Sequence, residues 1–281
     1  MENEVVIRME HLNCLSGSKY LLNNINWKVQ RGEQWVVFGR NGCGKTTLLS
    51  IIGGYQRYAS GVLEINGEEI TEENVLSVRK KIGWISSSFF DKYYHKELVI
   101  DIVLAGLSGT LGKPIAVRNG EIRKAKELLE RLGIGHKADM PFDMLSKGER
   151  QHVLIARAFM TTPEILILDE PGTGLDVLAR ERLLKTVQEL AQDHRVTLIY
   201  VTHYVEEILP SFTKCMLLRN GAVYKIGETK ELLRSEVMSD FFDYAVNIRE
   251  QNGRYFFETA YEKEHEELRD LIGKAGYDAG V

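Results

Sequence analysis

The sequence WVVFGRNGCGKTTLL, residues 35–49, joins an apolar run to a glycine-rich turn and then to an apolar helical pattern. Its centre, residues 39–46, matches the phosphate-binding pattern GxxxxGK[ST]. Glycines lack Cβ, so successive backbone N–H groups can turn toward bound phosphates, and a helix that begins near Lys45 presents its positive end to them. The stretch therefore predicts a phosphate-binding loop between a buried strand and a helix. The alternative is a glycine-rich turn with an incidental lysine.

Several residue types in this loop suit nucleotide chemistry. Lys45 adds a positive charge for the β and γ phosphates and is expected to take part in catalysis, while Thr46 offers a hydroxyl to Mg²⁺, which prefers oxygen ligands. Cys43, at the start of the helix, is expected to have a lowered thiol pKa, so its alkylation should block nucleotide binding. The alternative is an inert buried thiol. The loop residues expected to contact the nucleotide are Gly39, Arg40, Asn41, Gly42, Cys43, Gly44, Lys45, Thr46 and Thr47.

Two adjacent carboxylates, Asp169 and Glu170, follow the apolar run 165–168. Carboxylates so close together repel each other unless a cation offsets them, and a phosphate site with a divalent metal supplies that cation. Asp169 is expected to hold the metal through its water shell, and Glu170 to polarise a water for attack on the γ-phosphate. The alternative is a strand that runs into an acidic turn. His203 follows another apolar run, 197–201, but a lone histidine is more often structural than catalytic.

Apolar runs alternate with helical patterns along the chain. The runs 35–38, 165–168 and 197–201 are nearly continuous, which is typical of buried strands in a parallel sheet. Between them, residues 122–132 have helical apolar spacing and precede Gly133, a suitable residue for ending a helix. The alternation predicts an α/β fold.

The same patterns divide the chain into four expected segments. Residues 1–87 and 156–230 are interpreted as two parts of one core, and residues 88–155, which are rich in helical pattern, as a helical insertion between them. Residues 231–281 are interpreted as a C-terminal extension of mixed helix and strand whose role the pattern leaves open. This extension is acidic, so no surface for duplex DNA is indicated and no direct nucleic-acid binding is expected.

Composition excludes several classes of protein. The 281 residues carry a net charge of −4, are 44% hydrophobic and include only 5 prolines, which argues against collagen-like and low-complexity chains. No apolar run approaches the roughly 18 to 20 residues of a membrane-spanning helix, and the first residues do not resemble a signal peptide. Three widely separated cysteines fit no disulfide framework. We therefore expect a cytoplasmic protein.

Five motifs together resemble those of the ATP-binding cassette (ABC) ATPases, the nucleotide-hydrolysing modules of ABC proteins. They are the Walker A loop at 39–46, LSKGERQ at 145–151 as the LSGGQ signature, Asp169-Glu170 as the end of Walker B, 171–176 as the D-loop and Thr202-His203 as the switch histidine. They occur in family order, and the resemblance covers about residues 4–230. It implies a P-loop NTPase (RecA-like) core with a mostly parallel sheet, an N-terminal antiparallel β subdomain and an inserted α-helical subdomain.

The resemblance also implies a shared active site. In this family the signature of one cassette completes the nucleotide site of a second cassette packed head to tail. Ser146 and the backbone at Gly148 would then grip the γ-phosphate of ATP held by Lys45 of the partner subunit. By the same resemblance Glu170 is the catalytic base, His203 contacts the γ-phosphate, and ATP and Mg²⁺ are the bound species. ATP binding would close the dimer, and hydrolysis would reopen it.

The adenine site departs from the family pattern. The family normally places an aromatic residue about 29 positions before the Walker lysine, where this chain has Ser16. Tyr20 lies four residues later and is the expected adenine platform, with packing against the first sheet as the alternative.

A second departure lies in the Q-loop, where the family pattern resembles IGYVxQ. Residues 82–87 read IGWISS, and no glutamine occurs between Gln56 and Gln151. Ser87 or Ser88 is expected to stand in for the glutamine and to reach the metal through an intervening water. The serine pair is also similar to that of ModF-like stand-alone cassettes.

Two functions are compatible with these motifs. The first is an ATP-binding and ATP-hydrolysing subunit that powers a transporter with separate transmembrane subunits, at the inner face of the membrane. The second is a non-transport ABC ATPase acting in regulation, translation or DNA maintenance, which the missing glutamine favours. A P-loop kinase or GTPase does not account for residues 145–151.

Overall fold

Strands and helices alternate along the chain in a computed structural model, which describes residues 4–192 and 196–259. The strands are β1 (Val5–Ser16), β2 (Lys19–Gln30), β3 (Gln34–Phe38), β4 (Ser60–Ile65), β5 (Glu68–Glu69), β6 (Ile82–Ile85), β7 (Ile165–Asp169), β8 (Thr197–Thr202), β9 (Lys214–Arg219), β10 (Ala222–Glu228), β11 (Val246–Gln251) and β12 (Arg254–Thr259). The helices are α1 (Lys45–Ile52), α2 (Val75–Lys81), α3 (Ser87–Phe90), α4 (Val99–Ala105), α5 (Asn119–Arg131), α6 (Lys147–Ala158), α7 (Val177–Ala191), α8 (Thr229–Leu232) and α9 (Ser235–Phe242). The α/β prediction is confirmed.

The central sheet has the strand order β10-β9-β3-β8-β7-β6. All neighbouring pairs are parallel except β9 with β10, so the predicted mostly parallel sheet is confirmed. Strands β3, β7 and β8 are buried at every position, which explains their continuous apolar sequences. Because parallel strands end at one edge of the sheet, the segments after β3, β7 and β8 meet there.

A second sheet contains the N-terminal strands in the order β2-β1-β4-β5, and its paired strands are antiparallel. Buried positions alternate with exposed or half-buried ones along much of β2, which is typical of a sheet with one covered face. Irregularities in register interrupt the pairing of β1 with β2. This is the antiparallel β subdomain that the family resemblance implied.

Helices and 3-10 turns account for the regular structure of residues 88–155. Helix α5 buries Ala125 and Leu129, and the chain leaves it through Gly133 at a φ of 75°. The expected segment boundaries at 87/88, 155/156 and 230/231 fall inside α3, α6 and α8 and not between elements. The division into four segments stays a prediction.

The C-terminal extension contains helix α9 and the antiparallel hairpin β11–β12. Phe241 of α9 packs against Phe38 of β3, with ring centroids 6.1 Å apart. The mixed helix and strand character expected for residues 231–281 holds as far as Thr259, and the rest of this segment lies outside the described residues. Within the described ranges, no helix has the length and apolar character required to cross a membrane.

Candidate active site

The glycine-rich loop after β3 adopts a conformation that depends on its glycines. Gly42 and Gly44 have φ angles of 79° and 109°, in the left-handed region that other residues rarely adopt. A Cβ on Gly39 would lie 2.5 Å from the carbonyl oxygen of Leu218 in β9. Gly44 is the N-cap of α1 and provides no side-chain cap, which leaves the first N–H groups of that helix available to an anion.

Lys45, the first residue of α1, is held inside this loop. Its side chain is only 5% exposed, and Nζ donates to the carbonyl oxygens of Gly39 at 2.6 Å and Arg40 at 3.1 Å. The same Nζ lies 3.2 Å from Oε1 of Glu170. The lysine charge is therefore placed between the loop and the carboxylates that follow β7.

A cavity of about 600 Å³ opens over the loop and α1. This volume lies within the range of small-molecule sites in proteins, roughly 300 to 1,000 Å³. Predicted site residues that line it are Tyr20, Asn41, Gly42, Gly44, Lys45, Thr46, Thr47 and Glu170. The structure thus brings most of the predicted phosphate-binding residues together with one of the two carboxylates.

Asp169 ends β7 with its side chain buried in the protein. Oδ2 accepts a 2.7 Å hydrogen bond from Ser86 Oγ, whereas Oδ1 is buried without a hydrogen-bond partner among the described residues. Burial raises the pKa of this carboxyl to about 6, and the hydrogen bond from Ser86 opposes that rise. An unpartnered buried carboxylate oxygen fits a hydrated divalent cation, because Mg²⁺ takes oxygen ligands and keeps several waters.

Ser86 is a site residue that the sequence interpretation missed. The expectation that Ser87 or Ser88 stands in for the glutamine stays a prediction, and the structure adds Ser86, which makes the direct hydrogen bond to Asp169. Ser86 Oγ lies 3.2 Å from Ser88 Oγ, and Ser88 lines the cavity, so Ser88 connects to Asp169 through Ser86. Ser86 is also the N-cap of α3 and accepts from the N–H of Phe89. The one signal for Ser86 in the sequence was that it immediately precedes the position where the family pattern has a glutamine.

Glu170 has an unusual backbone conformation at the edge of the central sheet. Its φ of 49° lies in the left-handed region, and its N–H donates to the carbonyl oxygen of Val201 in β8. Strained residues of this kind cluster at functional sites, where the surrounding structure holds them. Oε1 lies 3.2 Å from Lys45 Nζ and 3.1 Å from His203 Nδ1. The lysine, the glutamate and the histidine therefore meet at one oxygen atom.

Two other predicted residues have contrasting environments. Tyr20 on β2 is 52% exposed and lines the cavity, so it stands at the mouth of the site rather than packed within the first sheet. Cys43 is buried, and burial raises the pKa of its thiol above its ordinary value, which outweighs the opposing charge of Lys45. The expectation of a lowered pKa for Cys43 is wrong because the thiol faces the protein interior.

The signature segment lies apart from this cavity. Ser146 is the N-cap of α6 and forms a capping box with Glu149, whose pKa is lowered to about 2 chiefly by the hydrogen bond from Lys137. Neither Ser146 nor Gly148 is among the described residues that line the cavity. A Cβ on Gly148 would meet no atom within 4 Å, so this face of the helix start is open.

The D-loop joins the carboxylates to α7. Asp176 is the N-cap of α7, and its Oδ1 accepts a 2.9 Å hydrogen bond from the N–H of Ala179. A Cβ on Gly174 would lie 2.7 Å from Nζ of Lys147, so the lysine that replaces the first signature glycine lies against the D-loop. The signature helix and the D-loop are therefore in contact within one chain.

Comparison with known proteins identifies relatives for nearly the whole chain. Residues 22–173 match the family profile described as ABC transporter. The uncharacterized ABC transporter ATP-binding protein YlmA of Bacillus subtilis is 38% identical over 258 residues, covering 91% of this chain and 98% of that protein. The ABC transporter ATP-binding protein ModF of Escherichia coli is 34% identical, covering 75% of this chain and 44% of that protein.

A solved structure gives the same fold. The structure of cbiO1 from Clostridium perfringens, described as part of the ABC transporter complex cbiONQ, superposes with a TM-score of 0.66 at 27% identity. The match covers 84% of this chain and 94% of that one. Both the sequence and the fold comparisons thus agree with the five motifs.

Proposed function

Because the chain belongs to the family of ABC transporter ATP-binding proteins, we propose that it hydrolyses ATP as one cassette of a head-to-tail dimer. In this proposal the dimer powers a transporter whose transmembrane subunits are separate chains. One observation carries the proposal: Lys45 and Glu170 line one cavity, while Ser146 and Gly148 lie elsewhere on the same chain. A second copy would supply the missing contacts.

The charges around the cavity suit a triphosphate. The N–H groups at the start of α1 and the ammonium of Lys45 provide positive potential for the β and γ phosphates. Tyr20 offers an exposed ring at the cavity mouth on which adenine can stack. Nucleotide binding then requires Lys45 to exchange its present oxygen partners for phosphate oxygens.

Glu170 is the candidate general base of the reaction. It would accept a proton from the water that attacks the γ-phosphate, and His203, 3.1 Å from Oε1, would orient the reacting groups. Thr46 and Asp169 would hold Mg²⁺, which neutralises charge on the phosphates when it is bound. Ser86 keeps the carboxylate of Asp169 in place through Oδ2 and leaves Oδ1 available.

The transport role draws its support from the relatives. YlmA and the cbiO1 structure are both described as parts of ABC transporters, and YlmA matches over nearly its full length. We propose a cytoplasmic location, peripheral to the inner face of the membrane. The alternative, a non-transport ABC ATPase, is favoured by one feature, the absence of a glutamine from the Q-loop.

The experiment uses Glu170→Gln, which retains the shape of the side chain and removes the base. With MgATP, the variant should shift from monomer to dimer on size exclusion and retain unhydrolysed ATP. Glu236→Gln, at an exposed position of α9, is the matched control, and it should hydrolyse ATP and accumulate no stable dimer. A Glu170→Gln protein that stays monomeric with saturating MgATP contradicts the head-to-tail proposal.

The same trapped dimer separates the two biological roles. Capture of integral membrane proteins from detergent-solubilised membranes supports transport. Capture of ribosomes or nucleic acid contradicts transport and supports the alternative. In either case Glu236→Gln should capture little.

A further inference from the structure

The segment after His203 forms a hydrogen-bonded unit around a buried carboxylate. Glu207, in the 3-10 turn Val205–Glu207, is buried, and its Oε2 accepts from Thr202 Oγ1 at 2.6 Å and from the Tyr200 hydroxyl at 3.1 Å. Thr202 Oγ1 also accepts from the N–H of Tyr204 at 3.0 Å. The residues on both sides of His203 are therefore tied to the turn.

The other oxygen of Glu207 faces the D-loop. A Cβ on Gly172 would lie 2.2 Å from Glu207 Oε1, which means that the D-loop backbone passes directly against the carboxylate. Gly172 is two residues after Glu170. The turn Val205–Glu207 therefore contacts both the segment that carries His203 and the segment that follows Glu170.

A single arginine from the C-terminal hairpin binds this turn from outside. Arg254, the first residue of β12, donates through Nε and Nη2 to the carbonyl oxygen of Glu206 at 3.1 and 2.7 Å. Its Nη1 and Nη2 also bind the carboxylate of Glu181 on α7 at 3.0 and 3.1 Å. Bidentate contacts of a guanidinium group fix geometry as well as distance. Arg254 therefore joins the switch segment to the helix that follows the D-loop.

The hairpin has its own anchors on the protein. Tyr255 is buried, and the ring of Phe257 packs edge-on against Phe242 with centroids 5.3 Å apart. Phe242 in turn packs against Phe38 of β3 at 6.1 Å. These apolar contacts anchor β12 in addition to Arg254, so we expect the hairpin to fold when the arginine is replaced.

We propose that Arg254 is a positioning residue for ATP hydrolysis, which it serves by fixing the turn Val205–Glu207 to α7 so that His203 stays beside Glu170. The inference rests on the proposed ATPase function and assigns a role to the C-terminal extension. Arg254 contacts neither the cavity nor the carboxylates of the site, so its effect passes through Glu206 and Glu181. Its loss should therefore lower kcat and leave the KM for ATP nearly unchanged.

The test compares Arg254→Ala with Arg249→Ala, because Arg249 lies in the same hairpin and pairs with Glu258 inside it. Small displacements of catalytic groups cost rate steeply, so Arg254→Ala should lower kcat about tenfold with KM within about twofold of wild type. Arg249→Ala should match wild type. Arg254→Lys retains the charge but loses the bidentate contact, so its kcat should fall between the other two.

A second readout does not depend on catalysis. In the nucleotide-free protein, the amides of Glu207 and Ile208 bond to the carbonyl oxygens of Tyr204 and Val205, and their hydrogen exchange should be faster in Arg254→Ala than in Arg249→Ala. Unchanged exchange at these amides overturns the inference even if activity falls. Faster exchange with a wild-type kcat also overturns it. If wild-type protein lacks ATPase activity, the proposed function fails, and the exchange comparison still decides whether Arg254 holds the turn.

Discussion

Ser86 Oγ donates a 2.7 Å hydrogen bond to Oδ2 of Asp169, and both groups are buried. The hydroxyl restrains one carboxylate oxygen, and the other has no hydrogen-bond partner among the described residues. Ser86 immediately precedes the position that a glutamine has in the family pattern. Ser86 directly follows β6, and β6 pairs in parallel with β7, which ends at Asp169. The serine therefore lies beside the carboxylate.

The first prediction concerns this bond. Ser86→Ala should destabilise the fold by about 1 to 2 kcal/mol, since a buried carboxylate loses a donor, and should reduce kcat about tenfold. Ser86→Thr keeps the hydroxyl and should recover most of both losses. Ser77→Ala, at an exposed position of α2, serves as the control. Denaturant unfolding and steady-state ATPase assays provide the measurements, and wild-type values for Ser86→Ala would refute this role for the serine.

The second prediction concerns Gly148, which belongs to the half of the proposed site that a second copy of the chain would contribute. Gly148→Ala should fold normally because a Cβ at this position meets no atom within 4 Å, and the monomer should bind ATP as before. In the Glu170→Gln background it should weaken ATP-dependent dimer formation, since the added methyl group occupies the open helix start. Gly120→Ala is the matched control, because Gly120 is also the second residue of its helix and is equally open. Equal dimerisation of the two variants on analytical ultracentrifugation argues against a role for Gly148 at the interface.

The third prediction concerns adenine recognition. Tyr20→Ala should weaken ATP binding about tenfold, because base stacking on an aromatic ring contributes roughly 1 to 3 kcal/mol. Tyr20→Phe retains the ring and should bind as wild type does. Binding can be followed with a fluorescent ATP analogue whose label is on the ribose. Equal affinity of the alanine and phenylalanine variants would mean that adenine stacks elsewhere.

The fourth prediction concerns the thiol of Cys43. Its burial and raised pKa should make its alkylation by iodoacetamide at neutral pH much slower than that of a small free thiol. MgATP should slow it further by covering the loop. Mass spectrometry of the peptide that contains Cys43 gives the rate, with N-acetylcysteine as the reference. A rate above that of the reference would restore the original expectation of an activated thiol.

The fifth prediction concerns pH and the buried carboxyl of Glu207. Burial raises its pKa above the ordinary value of 4.5, although the hydrogen bonds from Thr202 and Tyr200 oppose the rise. A group whose pKa is higher in the folded state stabilises the fold below its unfolded pKa and loses that contribution as the pH rises through its folded pKa. Glu207→Gln cannot ionise, so its free energy of unfolding should increase relative to wild type as the pH rises above 4.5.

Denaturant unfolding at a series of pH values tests this directly. Glu236→Gln, at an exposed position of α9, is the control and should track the wild-type pH profile. A difference between Glu207→Gln and wild type that stays constant, or that shrinks as the pH rises, contradicts the assigned direction.

The sequence predicts three adjacent strands of the central sheet and not the strands of the N-terminal sheet, for a physical reason. Strands β3, β7 and β8 are covered on both faces, so each is a continuous apolar run that stands out from its surroundings. Strands β1 and β2 mix polar and apolar residues, and register irregularities disturb their alternation, so only the family resemblance indicated them.

In the site, local sequence motifs can be predicted, whereas contacts between residues distant in sequence cannot. The loop 39–46 is recognisable because its glycines and lysine are needed at fixed local spacing. The environment of Cys43 and the partner of Ser86 depend on residues distant in sequence, such as Asp169, which lies 83 positions from Ser86. The left-handed backbone of Glu170 has no local signal either, since glycine is the residue expected there.

The contacts of Glu170 with Lys45 and His203 also affect how the nucleotide affinities of variants and wild type should be compared. In the free chain Glu170 offers Lys45 a carboxylate oxygen 3.2 Å from Nζ, so it would compete with a phosphate oxygen for the lysine. Replacing Glu170 with glutamine would remove that competing charge together with the proposed base. If such a trapping variant binds ATP more tightly, slowed turnover and the loss of this competition would therefore both contribute. The wild-type chain would bind its nucleotide more weakly.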